Sequence, residues 1–176
     1  RESAERVLHH LLDNDGRALV LCTSWAFVHR LAETVRDRLQ HAGIELLVQG
    51  ERPQQELLRA KRDDPRSVLI GTESLWEGID VPGDALTLVL ITRFPFAQPG
   101  HPLTEARIRA LEAKGGNGFR DHSLPEAILK FRQGFGRLVR SRRDRGKVVV
   151  LDPRVRTKRY GREFLAALPT GVRVPW

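Results

Sequence analysis

The chain has 176 residues, enough for one domain with a single core, and its 40% hydrophobic and 30% charged content is that of a soluble globular protein. A formal charge of +8 and a pI of about 10.7 favour a polyanionic partner, nucleic acid or an anionic membrane surface. No apolar run approaches the ~20 residues of a membrane span, and the single cysteine, Cys22, excludes an internal disulfide or a cysteine-based metal cluster supplied by this chain alone.

The chain opens RESAERVLHH, without a signal-like pattern, and contains no methionine; it reads as a piece of a longer protein from the interior of a cell. His9 and His10, placed at a helix start, read as solvent-facing, and none of the six histidines has metal-ligand spacing. Five short apolar runs follow: ALVLC (18–22), IELLV (44–48), SVLIG (67–71), LTLVLI (86–91) and KVVVL (147–151). They are rich in Val, Ile and Leu and do not alternate with polar residues, which suits strands buried on both faces. Amphipathic stretches near 25–42, 53–62, 102–115 and 124–141 separate or follow them, with irregular breaks at FPFAQPGHP (94–102) and AKGGNGF (113–119). Alternating strand and helix predicts one α/β domain over residues 1–176, with a mainly parallel sheet flanked by helices.

Ligands of such sheets gather at the carboxyl ends of the strands, where CTSW, GTESLWEGIDVPG and DPR fall. Thr23 and Ser24 precede a helix: Ser24 reads as its N-cap, and a helix start with adjacent hydroxyls also suits a phosphate. Trp25 either stacks on a base or packs. In GIDVPG, Asp80 can simply bind its own backbone while Pro82-Gly83 reverse the chain. On a helix over 126–141, Ile128, Phe131, Phe135, Leu138 and Val139 share one stripe, and Gln133, Arg137 and Arg140 lie roughly opposite. A solvated basic face would account for those three side chains but not for Gly136 beside Arg137, which suggests close approach of a ligand or another backbone. Arg142, Arg143, Arg145 and Lys147 read equally well as a solvated turn.

Gln133-x-x-Gly136-Arg137-x-x-Arg140 resembles motif VI of superfamily two helicases. GTESLWEGIDVPG (71–83) resembles motif V of the branch containing DinG and XPD, and LVLCTSWAFVHRLAE (19–33) resembles its motif IV. The segment RFPFAQPGHPLTEARIRALEAKGGNGF is similar to the one that joins motifs V and VI in DinG-like proteins. The resemblance covers about residues 17–168 and implies the second RecA-like domain of an ATP-dependent DNA helicase, moving 5′-to-3′ on single-stranded DNA. It makes Arg137 and Arg140 arginine fingers and Gln133 a contact to the nucleotide or attacking water, with Gly136 permitting close approach. Asp80 takes the ribose contact, with Gly78 and Glu77 beside it. Thr72, Thr23, Ser24 and Trp25 take the single-stranded DNA. The role of Trp76 stays open.

No G-x-x-x-x-G-K-[ST] and no Asp-Glu-x-His after a strand occurs, so ATP and Mg²⁺ would be held mainly by an absent first RecA-like domain. An iron–sulfur cluster, found in many relatives, would also belong to that half; none is expected in this chain. The implied setting is the bacterial cytoplasm, at the nucleoid, for a monomer without membrane association. Two other readings compete. One is a non-catalytic basic nucleic-acid-binding module. The other is a nuclease built on Asp84, Glu112 and Lys114, which requires the carboxylates to converge on a metal.

Overall fold

The computed structural model describes residues 2–72, 74–75, 85–97, 100, 102–136 and 146–168. The chain divides into two compact units, residues 1–93 with 133–152 and residues 94–132 with 153–176. The first unit holds strands β1 (Ala18–Leu21), β2 (Leu46–Val48), β3 (Val68–Gly71), β4 (Leu88–Ile91) and β5 (Lys147–Val150), ordered β2-β3-β1-β4-β5. Every neighbouring pair is parallel, Ala18 lying level with both Val68 and Leu88. Each residue of β1, β3 and β4 is buried, which is why these strands read as unbroken apolar runs. This is the parallel, RecA-like α/β arrangement expected.

Helices α1 (Glu2–Asp13), α2 (Trp25–His41) and α3 (Gln54–Asp63) belong to the same unit. Val20, Ile70, Leu88 and Leu90 form a core with Val7, Leu8 and Leu11 of α1 and Val28, Leu31, Val35 and Leu39 of α2. Helix α3 packs on β2 and β3 and buries Leu57. β2 starts two residues later than its apolar run, because Ile44 is taken by the end of α2. There Gly43, at φ +68°, donates its N–H to Gln40 O at 3.0 Å, and Ile44 donates to Leu39 O at 2.9 Å. That is a Schellman closure, with Ile44 and Leu39 both in the core beneath it.

The two N-terminal histidines are a correction. They lie in the later turns of α1, not at a helix start, because Val7, Leu8 and Leu11 draw the whole opening segment onto the core. His9 is exposed and 3.3 Å from Asp13, one turn on. His10 is half-buried, and burial, with Lys147 nearby, holds its imidazole below the ordinary range.

The second unit contains α4 (Pro102–Glu112), a π-helical turn (Phe119–Ser123), residues 124–132 of α5 (Leu124–Gly136), and the short helices α6 (Arg154–Thr157) and α7 (Gly161–Ala166). Aromatic rings form its centre. Phe94 stacks on Phe164 at 3.8 Å and 12°, and Phe131 meets both edge-on at 5.9 and 5.3 Å. Phe94 thus anchors the irregular stretch after β4. Of the stripe expected along the last long helix, Phe131 and Phe135 are buried and Ile128 is half-buried; Leu138 and Val139 lie outside the described residues.

Candidate functional site at the carboxyl edge of the sheet

The strand order places a switch point beside β1. From β1 the chain crosses through α2 to β2 on one side, and β4 and β5 then extend the sheet on the other. Crevices at such points, beyond the carboxyl ends of the strands, are where open α/β sheets bind ligands. A cleft of about 480 Å³ lies here, lined by Thr23 and Ser24 after β1, Thr92 and Arg93 after β4, and Arg30 and Thr34 of α2.

Ser24 is the N-cap of α2. Its backbone is extended (φ −151°, ψ 147°), and its hydroxyl accepts from the Phe27 N–H at 3.3 Å. One of the free amides of the first turn is thereby satisfied, and the helix start with its positive dipole end faces a polar cleft. Thr92 donates its hydroxyl to Leu21 O at 3.0 Å and is buried. Burial pushes the neighbouring Cys22 thiol up to about 12, partly offset by a hydrogen bond with Thr92, so Cys22 is no nucleophile at neutral pH.

Thr72 follows β3 and is half-buried. Its partner is a residue that sequence reasoning missed. Gln49, the residue after β2 and only 8% exposed, accepts through Oε1 from the Thr72 N–H at 2.6 Å and the Thr72 hydroxyl at 3.1 Å. Its amide donates to Ser74 Oγ at 2.6 Å. Thr72 therefore spends its hydroxyl proton on Gln49, and Ser74, exposed and accepting from Gln49, lies 3.5 Å from the Thr72 hydroxyl. Gly71 makes the bridge feasible: a Cβ there would lie 2.5 Å from Gln49 Oε1. A buried Gln beside a glycine leaves no periodic trace in the sequence; only its position after a strand could have drawn attention.

Trp25 is 46% exposed, with one face covered by His29 at 6.0 Å and 26°. Its ring edge closes over Gly50, where a Cβ would come within 3.3 Å of the ring. It thus both packs and presents surface, and it seats the start of α2 on Gly50, the residue after Gln49. The sheet brings Thr23, Ser24, Trp25 and Thr72 to one edge. Gln133 and Gly136 are exposed in the last turn of α5, and the position of a Gly136 Cβ is empty to 4 Å. Nothing within the described residues requires a glycine there. Asp80, Gly78, Glu77, Trp76, Arg137 and Arg140 lie outside the described residues. Among the described residues no group of three or more His, Cys, Asp or Glu is disposed to hold a metal. Among them, too, no helix is long and apolar enough to cross a membrane.

The family of helicase C-terminal domains matches residues 7–171. The ATP-dependent DNA helicase YoaA of Haemophilus influenzae is 43% identical over 160 residues, which is 91% of this chain and 24% of that protein. DinG of Bacillus subtilis, named as a 3′-5′ exonuclease, is 44% identical over 160 residues, 90% of this chain and 17% of that protein. The ATP-dependent helicase DinG of Mycobacterium tuberculosis is 45% identical over 154 residues, 88% of this chain and 23% of that protein. The chain spans less than a quarter of the length of each of these relatives.

Proposed function

The chain belongs to the helicase C-terminal domain family and is DinG-like, and from that premise we propose that residues 1–176 form the second motor domain of a longer ATP-dependent DNA helicase. The observation that carries this reading is the convergence of Ser24, Thr72 and Ser74 on one carboxyl edge, within the stretches 19–33 and 71–83 that resemble motor motifs. Hydroxyls, a helix start and a partly open Trp ring suit a sugar-phosphate strand with unpaired bases. In this reading Thr23, Ser24, Trp25 and Thr72 track single-stranded DNA, and Gln49 holds Thr72 and Ser74 in place.

The nucleotide faces motif VI and the later residues of the stretch 71–83. ATP supplies the phosphoryl group whose transfer to water drives opening and closing of the two motor domains, and Mg²⁺ and the phosphates are held mainly by the first. From this domain Arg137 and Arg140 stabilise charge developing on that group, a task suited to a permanently charged planar fork. Gln133 orients the nucleotide or water, Asp80 accepts from the ribose hydroxyls, with Gly78 and Glu77 beside it, and the empty space at Gly136 admits the partner surface. Translocation runs 5′-to-3′, and the protein works as a monomer on DNA in the bacterial cytoplasm.

The exonuclease name belongs to a relative of which this chain spans 17%. Glu112 is exposed at the end of α4, and no observation favours a cleavage site.

The test uses the purified 176-residue chain with ATP and single-stranded DNA. No hydrolysis above a buffer control is expected, because the sequence contains no G-x-x-x-x-G-K-[ST] to cradle the phosphates. Turnover by the chain alone, in a preparation cleared of contaminating ATPases, would contradict the half-motor reading.

A further inference from the structure

Residues 154–162 of the second unit, RVRTKRYGR, carry five cationic side chains and no acid. Helices α6 and α7 fold tightly on each other here. A Cβ at Gly161 would lie 2.3 Å from Val155 O, so only glycine permits the approach. The fold gathers Arg156, Lys158 and Arg162 around a groove of about 590 Å³ with Val155 and Leu165 in its wall. Among the described residues no ion pair involves Lys158, Arg159 or Arg162.

An aromatic surface adjoins this run. Tyr160, between Arg159 and Gly161, meets Phe119 at 5.3 Å and Phe96 at 5.7 Å. Phe119 stacks on Phe96 at 5.8 Å and 25°, yet remains 43% exposed, so one side of its ring is supported and another is open. The backbone presenting it is fixed. Asp121 Oδ2 accepts from the Asn117 N–H at 2.7 Å, and Asn117 Oδ1 accepts from the Arg120 N–H at 2.8 Å, closing the π-helical turn at Phe119. Either feature alone is ordinary: basic turns are usually solvated, and single exposed apolar residues are common. Joined through Tyr160, they pair Lys158, Arg159 and Arg162 with a supported, accessible ring, the combination by which proteins hold single strands without reading sequence.

We infer that the α6–α7 groove and Phe119, all in the second unit, form a contact surface for single-stranded nucleic acid. Lys158, Arg159 and Arg162 face phosphates, and Phe119 stacks on a base. An acidic peptide would use the cations but not the ring, and a duplex would keep its bases from it. The inference does not depend on the motor role, since it concerns binding by the chain without nucleotide.

The experiment measures binding of the 176-residue chain to labelled oligothymidylate and to an abasic oligomer of the same length, over a salt series. Lys158→Gln combined with Arg162→Gln should weaken both probes and flatten the log–log salt slope by about 0.7 per cation removed. Phe119→Ala should weaken oligothymidylate by about 5- to 150-fold and leave the abasic probe within twofold, and Phe119→Trp should restore the loss. An unchanged slope in the double variant overturns the inference. So does equal loss of both probes in Phe119→Ala, which would mark a folding defect, or no loss at all. Unchanged binding by all three variants alongside weakened binding by a carboxyl-edge variant would overturn this surface while leaving the motor reading intact.

Discussion

Lys61 is fully buried, at 1% exposure, and its ammonium donates to Ser67 O at 2.7 Å and Pro65 O at 3.3 Å. These carbonyls lie just before β3, at the amino edge of the sheet, opposite the candidate site. Burial pulls its pKa from 10.5 to about 8, outweighing the favourable field of Asp64. The folded protein therefore releases this proton at a lower pH than the unfolded chain does. Below about pH 8 the cost of holding the buried charge is fully present; it is relieved as pH rises toward 10.5. Relative to Lys61→Met measured at the same pH, wild-type stability should rise by up to about 3 kcal/mol across that window. Chemical denaturation at pH 7.5 and 10 checks it, and a constant difference contradicts it. Neither Lys61 nor Gln49 was legible in the sequence, because the partners that let a long polar side chain be buried, the Pro65 and Ser67 carbonyls for Lys61 and Thr72 with Ser74 for Gln49, follow no periodic pattern.

At the scale of elements, Ser24 separates stability from function. It caps α2, so Ser24→Ala should cost about 1 kcal/mol in thermal or denaturant unfolding. Ser24→Asp should keep that stability, since aspartate caps as well and its charge suits the helix dipole. It should nonetheless weaken single-stranded DNA binding, because a carboxylate repels phosphate. Wild-type binding by Ser24→Asp would remove Ser24 from the proposed strand path. The strands were legible because β1, β3 and β4 are buried on both faces, and α2 because its cap and its apolar spacing agree. β2 and β4 each start two residues after their apolar runs, β2 because Gly43 and Ile44 close α2. Helices α6 and α7, four and six residues long, were not legible. No period can establish itself over such lengths, and ring packing around Phe164 holds that region instead. Strand ends drew attention to Thr23, Ser24 and Trp25, and the motif V resemblance to Thr72. The bond of Thr72 to Gln49 and the seat of Trp25 over Gly50 required the fold.

For the whole molecule, the charge of +8 gives attraction without address. Hydroxyl contacts release no counterions, whereas arginines do, so two variants at the carboxyl edge should behave differently. Thr72→Ala, which removes the hydroxyl bonded to Gln49 and carries no charge change, should weaken single-stranded DNA binding with the salt slope unchanged. Arg93→Gln, in the cleft beside Thr92, should flatten the slope by about 0.7. Flattening by Thr72→Ala, or none by Arg93→Gln, would mean that the strand does not run over this edge. The central claim is that this domain completes an ATP site it does not itself contain, and its most direct test is DNA-stimulated hydrolysis by the full-length parent carrying Arg137→Ala or Arg140→Ala. The account predicts a loss of about 10³- to 10⁵-fold in rate, poor rescue by lysine, and single-stranded DNA affinity within a few-fold of wild type. Hydrolysis near the wild-type rate in either alanine variant would contradict it.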